Sequence, residues 1–146
     1  MRKLLFLAVL GMLGFAAPSS AETVAEIADR WGILGNWQKN CDTPVSENND
    51  RQSFVIRSGK LFLDRSRGEG LDSNPVTEAS INARGELDLL VTFPTYGQNR
   101  QNVHAMSKDG RQHIVLNRNV DTGEYTVRNG ILLSTGNAVP WLTHCD

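Results

Sequence analysis

Each end of the mature chain carries one tryptophan and one cysteine close together. Gly35-Asn36-Trp37-Gln38-Lys39-Asn40-Cys41 opens the first strand-like segment, and Trp141-Leu142-Thr143-His144-Cys145 closes the chain. These are the only two cysteines. If Cys41 and Cys145 are joined, the first and last strands lie near one another and every hairpin between them has to close around that tie. The pattern therefore predicts an all-β fold, an up-and-down antiparallel barrel of eight to ten strands with a short N-terminal helix. Closure would also remove exposed sheet edges.

The compartment follows from the beginning of the chain. Residues 1–21 read as a secretory signal peptide: Arg2 and Lys3 form a basic n-region, Leu4 to Phe15 an apolar h-region, and Ser19-Ser20-Ala21 a small-residue cleavage site. The apolar run is shorter than the ~20 residues of a membrane span, so a periplasmic or secreted protein with no membrane span is expected. Such a compartment is oxidising, which favours a Cys41–Cys145 disulfide. A thiol pair for metal or redox work would call for a CxxC motif or histidines at ligand spacing on Cys41, and neither is present. The expected organisation is a signal peptide over 1–21, a helix and lead-in over 22–34, and one β domain over 35–146.

Without Arg2 and Lys3, 13 basic residues face 16 acidic ones, with the signs interspersed. That balance argues against nucleic acid as a partner. Ten of the 13 are arginine, a residue suited to carboxylate or phosphate recognition as well as to a solvated exterior.

Thr23-Val24-Ala25-Glu26 is a capping box, and Val24, Ile27, Ala28 and Trp31 fall on one helical stripe before the stop at Gly32. The rest is strand and turn. Ser58-Gly59, Arg84-Gly85, Asp109-Gly110, Asp121-Thr122-Gly123 and Asn129-Gly130 separate β-rich runs at hairpin spacing. Ser66-Arg67-Gly68-Glu69-Gly70-Leu71-Asp72-Ser73-Asn74 is too polar and glycine-rich for a strand and reads as a loop at a barrel rim. Pro94-Thr95-Tyr96-Gly97 is a second irregular turn.

A short helix, then Gly35-Asn36-Trp37 opening the first strand, then a meander tied by a disulfide, resembles the calycin superfamily of lipocalin-like barrels. The nearest kind is the small secreted lipocalin-like protein of proteobacteria. The resemblance implies that Trp37 packs at the closed base, under an arginine from a late strand, for which Arg128 is the candidate. Gly35, Trp31 and Trp37 are then structural.

Two-residue pairing about Asp109-Gly110 sets Met106 opposite His113 and His104 opposite Val115, so both histidines would share one face. A metal site could begin this way, but no third ligand has a fixed spacing, and Lys108 and Arg111 on the same face would oppose a cation; no metal and no cofactor are expected. No nucleophile motif is present, and Glu86 with Asp88 reads as a solvated strand face, so the sequence favours a non-enzyme. Two functions remain. One is a lipocalin-like binding protein for a small apolar or amphipathic ligand. The other is a filled barrel that acts on another envelope protein through its rim loops. In either case Tyr96, Arg67, Leu71 and Arg100 are the expected rim contacts, because loops on a rigid scaffold carry binding residues.

Overall fold

The computed structural model describes residues 20–146. Most of the predicted signal peptide lies outside the described residues. The helix α1 runs Val24–Trp31, with both hydrogen bonds of the Thr23/Glu26 capping box formed and Gly32 ending it in the left-handed conformation. It packs on the third and fourth strands, and Trp31 Nε1 donates to the carbonyl of Gly85 at 2.8 Å. No helix among the described residues is long and apolar enough to cross a membrane.

Eleven antiparallel strands follow: β1 Gly35–Gln38, β2 Arg51–Arg57, β3 Lys60–Ser66, β4 Leu71–Ile81, β5 Leu87–Phe93, β6 Gln98–Met106, β7 Gln112–Asn119, β8 Tyr125–Arg128, β9 Ile131–Leu132, β10 Asn137–Ala138 and β11 Thr143–Cys145. The count exceeds the expected eight to ten because β9 and β10 are only two residues each. Strands β1 to β10 lie in sequence order, and β11 returns to the outer side of β1. Trp37 faces His144 and Asn36 faces Cys145. The disulfide Cys41–Cys145 is formed, with its Cα atoms 5.5 Å apart. No strand ladder among the described residues joins the two ends of the sheet. One isolated antiparallel bridge, Gln112 with Leu142, links the lead-in of β11 to the start of β7.

The core forms on one face of the sheet. Phe54 pairs with Leu63 and Ile56 with Leu61, and Phe54, Leu61, Leu63, Leu87, Leu89, Val91 and Phe93 are buried together with Trp37, Ile33, Ala28 and Leu142. The alternation of β5 is complete, each odd residue from Leu87 to Phe93 being buried, as period-2 patterning requires of a half-solvated strand.

Three expectations are corrected. The stretch from Ser66 to Asn74 is not one loop: β4 begins at Leu71, and only residues 67–70 turn. Polar Asp72 and Asn74 are accommodated because Asp72 pairs with Arg65 and Asn74 Nδ2 donates to the Leu63 carbonyl at 3.0 Å, so cross-strand partners override strand propensity. At Asp109-Gly110, Ser107 N donates to Arg111 O at 2.8 Å. Three residues therefore lie in the turn, Met106 pairs with Gln112, and His104 pairs with Ile114. A slip of one residue sends the two histidines to opposite faces. Finally, Arg128 is exposed and stacks on Tyr125, 4.1 Å from its ring centroid. The side chain against Trp37 is His144, edge-on with centroids 4.9 Å apart.

Candidate functional site

In an antiparallel meander alternate connections lie at one end. The β1–β2 loop, the β3–β4 turn, the β5–β6 turn and the β7–β8 turn therefore share the rim, while α1 lies against the turn that contains Gly85. The rim pieces touch: a Cβ on Gly68 would lie 3.0 Å from the Val45 carbonyl of the β1–β2 loop, and Val120 N donates to Asn99 O at 3.0 Å. Asn49 organises the long loop from within, its amide donating to the carbonyls of Asn40, Thr43 and Pro44 at 2.9 to 3.2 Å.

Three of the four expected rim residues come together. Arg67, Leu71 and Tyr96 line an open cleft of about 260 Å³ with Arg65, Glu69 and Asp72. Tyr96 stands in the 3-10 turn Pro94–Tyr96 and is 60 % exposed; Leu71 is 66 % exposed. These are the two most exposed large apolar side chains among the described residues. One wall is fixed by Arg65, which pairs with Asp72 and lies 4.6 Å over the Phe93 ring. Burial pushes the Asp72 carboxyl up, but Arg65 and the Asn74 amide outweigh it and hold the pKa below its ordinary value. A second cleft, of about 740 Å³, shares Arg67 and Glu69 and is walled by Val45, Ser46, Glu47 and Asn48 of the β1–β2 loop.

Arg100 does not line this cleft. It lies on the core face of β6, opposite Val91 and Asn119. Its Nε donates to Asn117 Oδ1 at 2.5 Å, Nη1 to Gln98 Oε1 at 2.9 Å and Nη2 to Thr126 Oγ1 at 3.1 Å. Burial lowers its pKa, with Glu124 opposing the shift weakly.

The core face of β6 was not anticipated as a polar stripe. Gln98, Arg100, Asn102 and His104 alternate along it, opposite Phe93, Val91, Leu89 and Leu87. The sequence signal was present in the amides of this strand, but the shifted register concealed which of them face inward. His104 is fully buried. Its Nδ1 lies 2.9 Å from Gln112 Oε1 and its ring meets Phe54 edge-on with centroids 5.5 Å apart. Desolvation pushes its pKa down to about 4, with the Gln112 contact opposing and His113 adding to the fall. Its Nε2 and the Gln112 Nε2 have no protein partner. His113, on the other face, stacks on Trp141 with centroids 3.6 Å apart. Among the described residues no group of three His, Cys, Asp or Glu side chains is arranged to hold a metal ion.

Compared with protein-family models, with curated proteins and with solved structures, the chain finds no match in any of the three.

Proposed function

We propose that this is a periplasmic, lipocalin-like protein whose sheet forms a closed and filled barrel, and that it works by gripping another envelope protein with its rim. Support for closure comes from the Gln112–Leu142 bridge, whose two backbone hydrogen bonds measure 3.0 and 2.7 Å, and from the Cys41–Cys145 tie beside it in sequence. Support for a filled interior comes from the contiguous core, in which Trp37, Phe54, Leu61, Leu87, Leu89 and Val91 are each at most 2 % exposed. A small eight-stranded barrel is wide enough for side chains to fill it.

The observation that carries the reading is the meeting of Leu71, Tyr96 and Arg67 in one cleft. Exposed apolar side chains beside an arginine are the composition of interface anchors, where aromatic residues and Arg are enriched. Tyr96 adds area with little rotamer entropy to lose and has a hydroxyl for a polar partner.

The test is to purify the exported protein from its own periplasm and weigh it by native mass spectrometry, with Tyr96→Ala and Leu71→Ser beside the wild type. Point variants are needed here, because deleting residues 66–74 would remove the start of β4. The reading expects a protein partner that is lost in both variants. A partner held equally by all three, or a co-purifying small molecule in place of a protein, would refute it.

A further inference from the structure

Among the half-buried arginines of the sheet, Arg51, Arg100 and Arg118 have no carboxylate within ion-pair distance among the described residues, and of these Arg100 alone is held through all three of its nitrogens. Arg65 has Asp72 and Arg57 has Asp64 within ion-pair distance. Arg100 has no carboxylate within 4.0 Å among the described residues, and its three nitrogens are met by an Asn oxygen, a Gln oxygen and a Thr hydroxyl. All three acceptors are neutral. Glu124, in the β7–β8 turn, acts on Arg100 only at a distance.

A guanidinium carries five N–H donors, and the three bonds leave one hydrogen on each terminal nitrogen. The bonds also fix the plane of the group, since they arise from β6 itself, from β7 through Asn117 and from β8 through Thr126. Withdrawing a cation partly from water without a counter-charge is unfavourable. Fixing its fork in place with two donors unspent is the geometry that recognises an oxyanion.

We propose that Arg100 is an oxyanion-binding residue, taking the carboxylate or phosphate group of a small solute at the polar end of the β6–β7 core face, between Gln98, Asn117 and Thr126. The site is separate from the Tyr96 cleft and does not depend on the rim reading. The anion supplies the missing counter-charge, and the neighbouring amides hold the guanidinium rather than compete for its charge.

The probes are acetate and inorganic phosphate, titrated at constant ionic strength against sodium chloride and followed by NMR at the Arg100 Nε–Hε resonance and the Gln98 and Asn117 side-chain amides. The expected result is a saturable shift of these resonances with one or both oxyanions and not with chloride. Arg100→Gln should abolish it, and Arg100→Lys, which replaces a fork by a point charge, should weaken it about tenfold. Should Arg100→Gln fail to fold, the wild-type resonances and Arg100→Lys still decide. Non-saturating shifts, equal shifts with chloride, or binding unchanged in the variants would overturn the assignment and leave Arg100 as a bolt between strands.

Discussion

Gly35 lacks a Cβ in the place where His144 puts its ring. A methyl group built on Gly35 would lie 2.2 Å from Nε2 of His144, and that nitrogen donates to the Leu34 carbonyl at 3.1 Å. The same ring meets Trp37 edge-on. Gly35 and Trp37 are two apart on one strand, so they share a face, and His144 is the cross-strand partner of Trp37. The Gly-x-Trp pattern thus has a physical content here: the glycine vacates the space that lets a last-strand imidazole reach the tryptophan.

Gly35→Ala should therefore be costly twice over. Its φ of 109° is a conformation that L side chains rarely adopt, and the methyl would strike a ring rather than a flexible chain end. The expected loss is roughly 2 to 4 kcal/mol, combining backbone strain with overpacking. Removing the ring with His144→Ala should recover the steric part only, so the double variant should be more stable than the sum of the singles predicts. Strict additivity in urea melts would mean that the imidazole is not the obstruction.

Trp37 and Tyr96 offer a contrast between a structural and a surface aromatic. Trp37 is 2 % exposed and its Nε1 donates to Ile33 O at 2.7 Å, so Trp37→Ala should lower stability by roughly 3 to 5 kcal/mol. Tyr96→Ala should change it by no more than about 0.5 kcal/mol. A Tyr96 variant that melts like the Trp37 variant would remove the rim cleft as a free surface.

The disulfide should be worth more than any hydrogen bond in the molecule. Cys41 and Cys145 are 104 residues apart, and a tie across so long a loop restricts the unfolded chain by up to about 4 to 5 kcal/mol on the chain-entropy model. Replacing both cysteines with alanine should lower the urea midpoint and steepen the slope, because the released unfolded chain is less compact and exposes more surface. The rim loop should stay in place, because the Asn49 amide holds it from within. Unchanged stability in the double variant would show the tie to be energetically idle.

Much of this topology was legible because some turns admit one register only. Ser58-Gly59 and Asn129-Gly130 both have two left-handed residues, and their flanking pairs, Arg57 with Lys60 and Arg128 with Ile131, follow directly. The Thr23 capping box and the return of the last strand to the first were equally plain. Asp109-Gly110 was ambiguous, because a glycine there serves a two-residue or a three-residue turn, and one residue of difference put His104 and His113 on opposite faces instead of one. Leu71 to Asn74 was hidden for another reason: its strand character resides in Arg65 and Leu63, its partners, rather than in its own composition. Arg67, Leu71 and Tyr96 could be named as rim residues from turn irregularity alone. That they converge in one cleft depends on the twist of the strands between them, which sequence pattern does not express.

His104 makes the fold sensitive to acid in a window of its own. Its folded pKa of about 4 lies below the ordinary 6.5, so between those values the unfolded chain binds a proton that the folded protein refuses. The stabilisation is complete above about pH 6.5 and is lost as pH falls towards 4, to a maximum of about 3 kcal/mol. Asp64 and Asp72 do not enter the upper part of this window. The Arg57 hydrogen bond holds Asp64 below its ordinary value, and Arg65 and Asn74 do the same for Asp72 against the effect of burial, so both stay ionised there. Urea melts at about pH 7.5 and about pH 5 should differ by about 2 kcal/mol in the wild type. His104→Gln keeps a buried hydrogen-bonding side chain without a titrating proton, and its two melts should differ by much less; the difference between the two proteins isolates His104. Equal pH dependence in wild type and variant would show that the buried ring accepts its proton in place, and that its unpartnered Nε2 reaches solvent.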